Sequence, residues 1–457
     1  MVDISLSVDE NSYRAAVFEI VQFQIEDSSY SGEDVINKNL EKYDKAAKVA
    51  AENWQAKRLE RSSGEDEIDV KKCEIKNSCD EYNADYCVTN GNSCPGGGNF
   101  NFNTGLVFDG KGNLIVRYYK RYLFFEEDIN VPKIFRNTYF ETDFGNFTID
   151  INFDTMFYDS VKGIEKSGVT SLVFPTYWFD YTPLVFFAIP LQQAWSITYK
   201  VNIIAANVHE PRTGSVGSGI YSPDRGVLVY TDNPDGRSKL LISNVPKSPT
   251  DDLRNIEPPN TKFFYLDDDE VTELQEEEPR NFQKECGLNV LGALPEDLTD
   301  YRCQLTSVRG YEFRKLEGTS GSFGLCSKAF CCSLTYESES MNENYYFGVS
   351  SMPLTFQDSY VLGTEACFLA RCEPFDGRPC GNFILKSDTV FLFAEMRATF
   401  TTKYIYPYAI NSDIRLTDKE EWEFDGNSHM FYQNIKNDSL LFLGLYGRKF
   451  DEDKILN

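Results

Sequence analysis

Hydrophobic and polar positions along this chain follow two different periods. Residues 14–24 are rich in β-branched and aromatic side chains, which predicts a buried strand. Residues 39–61 carry apolar side chains at every third or fourth position, which predicts one face of a helix. Residues 105–109 and 114–119 flank a Gly-Lys-Gly-Asn turn and predict a β-hairpin. The opening part of the chain therefore mixes strands and helices.

This alternation continues to about residue 245. Residues 171–175 and 201–207 predict strands, and a helical segment containing Gln193-Ala194-Trp195 lies between them. Alternating strands and helices favour layers of helices packed on sheets. We therefore expect residues 1–245 to form an α/β domain.

Beyond residue 280 the pattern is that of strands. Residues 281–457 predict a β-rich second domain, because apolar residues there alternate or form short runs at 345–351, 388–406 and 439–446. Residues 246–280 lie between the two domains and are rich in proline and in runs of acidic residues. Such a composition is typical of a solvated connector.

Charge excludes some partners. The 457 residues include 45 basic and 71 acidic side chains, a formal net charge of −26. This balance repels nucleic acids and anionic membrane surfaces, so neither is expected as a partner. Runs of about 18 apolar residues, the length a membrane-spanning helix needs, do not occur in the sequence. The sequence predicts no oligomeric state.

Cysteines point to an oxidising compartment. Their even number and their clustering near glycine and proline predict disulfides. Zinc is the competing interpretation, but the chain has only two histidines and no paired CxxC knuckles, so no metal or cofactor is expected. The twelve cysteines are Cys73, Cys79, Cys87, Cys94, Cys286, Cys303, Cys326, Cys331, Cys332, Cys367, Cys372 and Cys380.

Two further features are consistent with secretion. Asn146 and Asn437 each begin an Asn-x-Ser/Thr sequence, the acceptor for N-glycosylation. The first residues, MVDISLSVDE, lack the basic and apolar regions of a signal peptide. We expect a mature, secreted chain to which Met1 has been added.

Several motifs together resemble one enzyme family. Residues 143–160 read DFGNFTIDINFDTMFYDS, and residues 117–124 read RYYKRYLF; VFPTYW, GSGIYSP and LCSKAFCC follow at 173–178, 217–223 and 325–332. These resemble FG-x-FTCFDILFHD, RYHK-x-x-LF, VFPT-x-W, GSGIY-x-P and VC-x-x-x-x-CC of the vanin/biotinidase branch of the nitrilase superfamily. The resemblance implies a four-layer αββα sandwich and amide hydrolysis by a Glu-Lys-Cys triad.

This chain departs from the triad at two of its three positions. The resemblance places Lys120 where the family's lysine stabilises the oxyanion of the tetrahedral intermediate. The nucleophile position falls to Ile149 or Asn152, depending on where a two-residue gap is placed, and neither side chain can form a thioester. The sequence holds no cysteine between Cys94 and Cys286, so no gap placement restores one.

The general base is also missing. In the family an apolar strand ends in the Pro-Glu that supplies it, whereas residues 62–94 form a polar loop with Glu65, Glu67 and the first group of cysteines. We therefore expect a nitrilase-like fold that lacks this strand. Thr148 and Ser160 flank the nucleophile segment, but neither has an identifiable base.

These losses predict a pseudoenzyme whose former active site binds a small apolar or pigment-like ligand, with a lysine available to hold a carboxylate. The residues expected to line that pocket are Lys120, Tyr119, Tyr122, Asn152, Asp154, Tyr177, Trp178, Trp195 and His209. Two alternatives stay open. The 27 tyrosines and 35 phenylalanines suit an extracellular storage protein, and the resemblance itself favours an active amide hydrolase.

Overall fold

The computed structural model describes residues 2–7, 12–21, 32–54, 102–109, 113–126, 129–132, 138–182, 187–249, 260–267, 270–274, 285–287, 302–305, 308, 310–356, 359–375 and 377–456. The loop at 62–94 lies outside these ranges, and with it the predicted loss of the strand that carries the catalytic glutamate. Cys73, Cys79, Cys87 and Cys94 lie outside them as well.

Strands and helices alternate through the first half, as predicted. The helices of the described residues are α1 (Gly32–Trp54), α2 (Tyr158–Ser167) and α3 (Ala188–Tyr199). The strands are β1 (Val2–Ser7), β2 (Ser12–Glu19), β3 (Thr104–Phe108), β4 (Leu114–Tyr119), β5 (Phe140–Thr142), β6 (Gly145–Ile149), β7 (Ser171–Thr176), β8 (Tyr181–Thr182), β9 (Asn202–Asn207), β10 (Ser218–Ser222), β11 (Gly226–Thr231), β12 (Lys239–Pro246), β13 (Lys262–Leu266) and β14 (Val271–Leu274).

Most of these strands form two sheets. The first is antiparallel, in the order β1-β2-β12-β13-β14. The second runs β11-β10-β9-β7-β6-β5, and its central strands β6, β7 and β9 are parallel. The β3–β4 hairpin forms a separate two-stranded ladder. Because β6, β7 and β9 are parallel, their carboxyl ends meet at one edge of the second sheet.

The layers follow from the two-residue period of the strands. In β2, Val17 packs between the two sheets, whereas Phe18 packs on the other face with Val49 of α1. In β9, Ile204 joins the core between the sheets, and Ile203 joins the core that includes Trp195 of α3. The order of layers is therefore helix, sheet, sheet, helix, which is the predicted αββα sandwich.

The second half is β-rich, also as predicted. Its strands are β15 (Glu285–Gly287), β16 (Arg302–Leu305), β17 (Glu312–Lys315), β18 (Ser320–Ser327), β19 (Phe330–Ser338), β20 (Tyr345–Ser350), β21 (Leu354–Phe356), β22 (Tyr360–Leu362), β23 (Thr364–Phe375), β24 (Arg378–Phe383), β25 (Phe391–Ala398), β26 (Ile405–Asn411), β27 (Trp422–Phe424), β28 (His429–Gln433), β29 (Leu440–Arg448) and β30 (Lys454–Ile455).

Two of its sheets form a sandwich. One runs β17-β20-β23-β29-β26 and the other β18-β19-β25-β28-β27. Leu369 and Leu443 of the first meet Leu334 and Met396 of the second in one buried core. The outer face of the first sheet packs against α3, where the Thr198 hydroxyl donates to the Ile405 carbonyl over 2.7 Å. The two halves of the chain thus share an interface.

Among the described residues, three disulfides cross-link this second half. Cys332–Cys367 joins the two sheets of the sandwich, because Cys332 lies on β19 and Cys367 on β23. Cys326–Cys331 closes the β18–β19 hairpin, and Cys372–Cys380 ties β23 to β24. In the parallel pair β15–β16, Cys286 lies opposite Cys303 in register. Within the described ranges, His, Cys, Asp and Glu side chains form no group that could hold a metal.

The structure departs from the sequence pattern in two places. Residues 246–280 were expected to be a connector, but β13 and β14 lie within them and extend the first sheet. The strand-like segment 388–406 holds β25 and the start of β26, which belong to different sheets. The exact domain boundaries stay a prediction. Among the described helices, none is long and apolar enough to cross a membrane.

Candidate functional site

A sharp turn follows β6 at the carboxyl edge of the second sheet. After Ile149 the chain enters a 3₁₀ helix, Asn152–Met156, and then α2. Asn152 has φ 50°, a left-handed conformation that asparagine tolerates better than most residues. Its Oδ1 accepts a hydrogen bond of 3.3 Å from the Thr176 hydroxyl at the end of β7. Open α/β sheets commonly bind ligands at such an edge.

The other sequence candidate for the nucleophile position lies elsewhere. Ile149 is the last residue of β6, is 3% exposed and packs in the core between the two sheets. A side chain in that core cannot reach a ligand at the sheet edge. Of the two candidates, only Asn152 lies in the turn and is half-buried rather than buried.

Asp154 ties the turn to the loop that carries Lys120. Its buried carboxylate accepts hydrogen bonds from the Tyr118 hydroxyl and from the backbone amides of Tyr122 (2.8 Å) and Arg121 (3.2 Å). Burial raises the pKa of Asp154 to about 6, although the bond from Tyr118 opposes the rise. The carboxylate therefore acts as an anchor between two segments of the site.

Lys120 is buried and already paired. Its side chain is 1% exposed, and its Nζ lies 2.5 Å from Oε2 of Glu126. The same Glu126 carboxylate accepts bonds from the Phe124 amide (3.0 Å) and the Asn103 side chain (2.5 Å). Sequence reasoning missed Glu126; the signal was the acidic run that begins six residues after Lys120. The lysine's charge is thus compensated within the protein.

A second buried acid lies close to Asp154. Asp150, between β6 and the turn, is 5% exposed. Burial and the neighbouring Asp154 carboxylate raise the pKa of Asp150 to about 7. The sequence motif contained this residue, but nothing in its spacing indicated that the carboxyl group would be buried beside another one.

The two alternative nucleophiles are engaged with other groups. The Ser160 hydroxyl donates to the Asp154 carbonyl over 2.9 Å. The Thr148 hydroxyl lies 3.1 Å from that of Thr138 in the protein interior. The Ser160 side chain also forms a hydrogen bond with the Asp150 carboxyl, a group capable of accepting its proton, whereas Thr148 pairs with another hydroxyl, which is no base.

His209 belongs to a different cluster. Its Nδ1 lies 2.7 Å from Oε1 of Glu19, and its Nε2 accepts a bond of 3.1 Å from the Gly236 amide. Nearby, Lys239 Nζ lies 2.5 Å from Oδ1 of Asp235. Burial lowers the pKa of His209 well below its usual range and raises the pKa of Glu19 to about 7. Sequence reasoning missed this cluster, since its members are far apart in the chain.

The aromatic residues predicted to line one pocket are dispersed. Trp195 is 2% exposed, and its Nε1 donates to the Thr155 carbonyl over 3.2 Å. Trp178, 5% exposed, packs in the same helix-side core. Tyr177 packs on Phe179, and Tyr119 packs on Phe102, with ring centroids 4.7 and 4.8 Å apart respectively. The two tryptophans thus share one core while the two tyrosines pack with other neighbours, and the pocket stays a prediction.

Aromatic rings from both halves of the chain pack around the turn. Tyr122 stacks on Phe157 with centroids 3.5 Å apart, and Phe124 lies 4.9 Å from Phe153. The second half contributes two rings whose positions the sequence did not predict: Phe356, 5.5 Å from Phe153, and Tyr360, 5.4 Å from both Phe153 and Phe157. The surroundings of the turn therefore include both halves.

The two predicted glycosylation sites differ in their surroundings. Asn146 is half-buried on β6, where its side-chain amide donates to the Gly168 carbonyl over 3.3 Å. Asn437 is exposed on a loop, with φ 63°. Asn437 is thus the more accessible acceptor, and glycosylation at either site stays a prediction.

Comparison with known proteins supports the resemblance seen in the motifs. Residues 301–453 match the model of the vanin C-terminal domain. Human biotinidase is 30% identical over 80% of this chain and 67% of its own length, and mouse pantetheinase is 29% identical over 80% of this chain. The match spans 66% of the length of that pantetheinase, so the chain covers about two thirds of such relatives.

A solved nitrilase-superfamily structure adds little to this. Nit3 of Saccharomyces cerevisiae is 19% identical and aligns over 32% of this chain and 54% of that chain, with a TM-score of 0.26. So low a score supports no inference about the fold. The sequence identity to biotinidase, over two thirds of that enzyme, is what shows the family: this chain belongs to the vanin/biotinidase branch of the nitrilase superfamily of carbon–nitrogen hydrolases.

Proposed function

We propose that this chain is a secreted, non-catalytic member of its family, whose former hydrolytic site holds a small apolar or pigment-like ligand. The observation that carries the proposal is Asn152, a residue without a nucleophilic group, in the left-handed turn at the sheet edge. Acyl transfer in this family needs a thiolate, which a carboxamide cannot replace. The absence of cysteine between Cys94 and Cys286 supports the same conclusion. The three disulfides support secretion.

The state of Lys120 limits which ligands the site can hold. Here Glu126 holds the Lys120 ammonium at 2.5 Å. The same pairing shapes the proposed ligand: a carboxylate would have to displace Glu126, so we expect an apolar molecule with a neutral polar tip.

The ligand half of the proposal rests on an exposed aromatic side chain. Phe125 is 68% exposed and has φ 57°, an unfavourable conformation for a bulky residue. Its ring lies 4.7 Å from Phe124, at the outer side of the rings around the turn. Strained residues often serve function rather than stability. We propose that Phe125 contacts the ligand.

The first test is catalytic and uses the purified full-length protein. Assays with pantetheine and with biotinyl amides should show no turnover above background. Turnover that disappears in the Lys120→Ala variant would refute the pseudoenzyme and leave the active amide hydrolase, the alternative that the names of the relatives favour.

The second test is for a ligand. Protein purified from its source should show visible absorbance or a native mass above that of the chain. For variants, fluorescence titration with Nile red provides a neutral aromatic probe with a polar carbonyl group. Phe125→Ala and Lys120→Ala should each weaken its binding by about 1–3 kcal/mol. Tyr139→Ala, which removes an exposed ring just before β5, is the matched control. No bound mass and no effect of the two site variants would favour the storage protein.

A further inference from the structure

Arg448 joins the second half of the chain to the turn. It is the last residue of β29 and is fully buried. Its guanidinium donates to the Gly363 carbonyl and to Oδ2 of Asp453 (2.7 Å), both in the second half. Its Nη2 also donates to the carbonyl of Met156 over 2.9 Å. Met156 ends the 3₁₀ helix that begins at Asn152.

Each of the last three carbonyls of that helix is held by a different side chain. The Asp154 carbonyl accepts from the Ser160 hydroxyl (2.9 Å), and the Thr155 carbonyl accepts from Trp195 Nε1 (3.2 Å). Only the bond to Met156 comes from the second half of the chain and from a charged donor. Charge-assisted bonds are stronger than neutral ones, and a buried carbonyl without its donor is costly.

We propose that Arg448 is a positioning residue for the candidate site, which is complete only when the second half of the chain is docked. Through the Met156 carbonyl it fixes the backbone from Asn152 to Met156. The rings of Phe356 and Tyr360 reinforce this from the same half. This inference rests on the proposed function only in taking the Asn152 turn as the ligand site.

The alternative is that Arg448 only stabilises the interface between the two halves and does not position the turn. An ion pair joins the same halves without touching the turn: Lys403 Nζ lies 2.8 Å from Oε1 of Glu165 on α2. Loss of either contact weakens the interface between the halves. Only loss of Arg448 should change the geometry at residue 152.

The test uses a reporter at the turn itself. Asn152→Cys is made in the full-length chain, and the rate of alkylation of this thiol by iodoacetamide is followed against pH, with the modified residue located by mass spectrometry. Arg448→Met is then added. It should raise the alkylation rate about tenfold, since a turn without its charged donor opens locally more often.

Matched variants complete the experiment. Arg448→Lys should partly restore the slow rate, and Lys403→Met should leave both the rate and its pH dependence unchanged. Asp453→Asn removes the negative charge beside the guanidinium but keeps the Met156 bond, so it should give a smaller rise. This variant provides the test if Arg448→Met does not fold. Unchanged alkylation in folded Arg448→Lys and Asp453→Asn variants would overturn the inference. Turnover or absence of a ligand would overturn only the proposed function.

Discussion

The molecule contains two buried clusters of charge that look alike and behave differently. The lysine cluster comprises Lys120, Glu126, Asp150 and Asp154; the histidine cluster comprises Glu19, His209, Asp235 and Lys239. Each contains a carboxyl group whose pKa burial raises to about 7. Shifted pKa values alone would mark both as functional sites. The surroundings of the two clusters differ, and this difference distinguishes them.

The histidine cluster is closed on every side. The side chains of Glu19, His209 and Lys239 are fully buried, and that of Asp235 is 8% exposed. Sheet register brings the cluster together, because Lys239 of β12 lies opposite Glu19 of β2. The lysine cluster instead includes a glutamate that is 21% exposed and lies beside strained residues at 125 and 152. Access and strain therefore identify the candidate site better than burial does.

The largest expected difference concerns the two lysines. Lys239→Met leaves the Asp235 carboxylate buried without its cation, which should cost about 3–5 kcal/mol of unfolding free energy. Lys120→Met should cost about 1–2 kcal/mol, because water can reach Glu126. Urea unfolding followed by circular dichroism, with disulfides intact, measures both. Equal losses would contradict the contrast between a closed and an open cluster.

The next difference is a pH dependence in the lysine cluster. The pKa of Asp150 is raised to about 7 in the folded protein, so the folded state binds this proton more tightly than the unfolded chain does. The parent protein therefore loses this stability as pH rises from about 4 through 7. Asp150→Asn mimics the protonated acid and should gain about 3 kcal/mol relative to the parent between pH 4.5 and 8.

Thermal unfolding of the two proteins across that range provides the measurement. Asp143→Asn, at an exposed carboxylate just before β6, is the matched control and should follow the parent. A constant difference between Asp150→Asn and the parent at all pH values would show that Asp150 is not held protonated by its burial.

The smallest expected effect tests strain at the turn. Asn152→Gly and Asn152→Ala both remove the amide that Thr176 contacts, so their difference isolates the backbone. Glycine should be more stable than alanine by about 1 kcal/mol, because only glycine adopts φ 50° without cost. At Val208, next to the histidine cluster, the alanine variant should instead be more stable than the glycine variant. Equal stabilities of the Asn152→Gly and Asn152→Ala variants would show that backbone strain does not distinguish the lysine cluster from the histidine cluster.

Local patterns were enough to predict much of the fold. The β3–β4 hairpin was predicted from its turn residues and apolar pattern, and strands were also predicted at β7 and β9, but their parallel pairing was not. The strand pattern failed between Ala398 and Ile405, where polar and aromatic residues continue the β-like composition across a turn that changes sheets. Strand-like composition does not reveal where pairing partners change.

The sequence named residues of the candidate site only where they lie in segments that resemble the family. Asn152, Asp154 and Lys120 stood in segments that resemble the family, and Asp154 contacts the Lys120 loop. The partners of these residues depend on tertiary contacts that spacing cannot predict: Phe356 and Tyr360 reach the turn from more than 200 residues away. His209, which was also predicted to line the pocket, pairs with Glu19, a partner that its position in the sequence did not indicate.

The hydrogen bond between Arg448 and Met156 also determines when the turn can form during synthesis of the chain. The donor lies 292 residues after its acceptor. At about 5–20 residues per second, a ribosome needs roughly 15–60 s to make the chain between them. During that interval the Met156 carbonyl cannot have its charged donor, and the rings that pack on Phe153 arrive almost as late. The turn at Asn152 can therefore reach its final geometry only after β29 has been synthesised, so a premature stop before β29 would yield a chain whose site never forms.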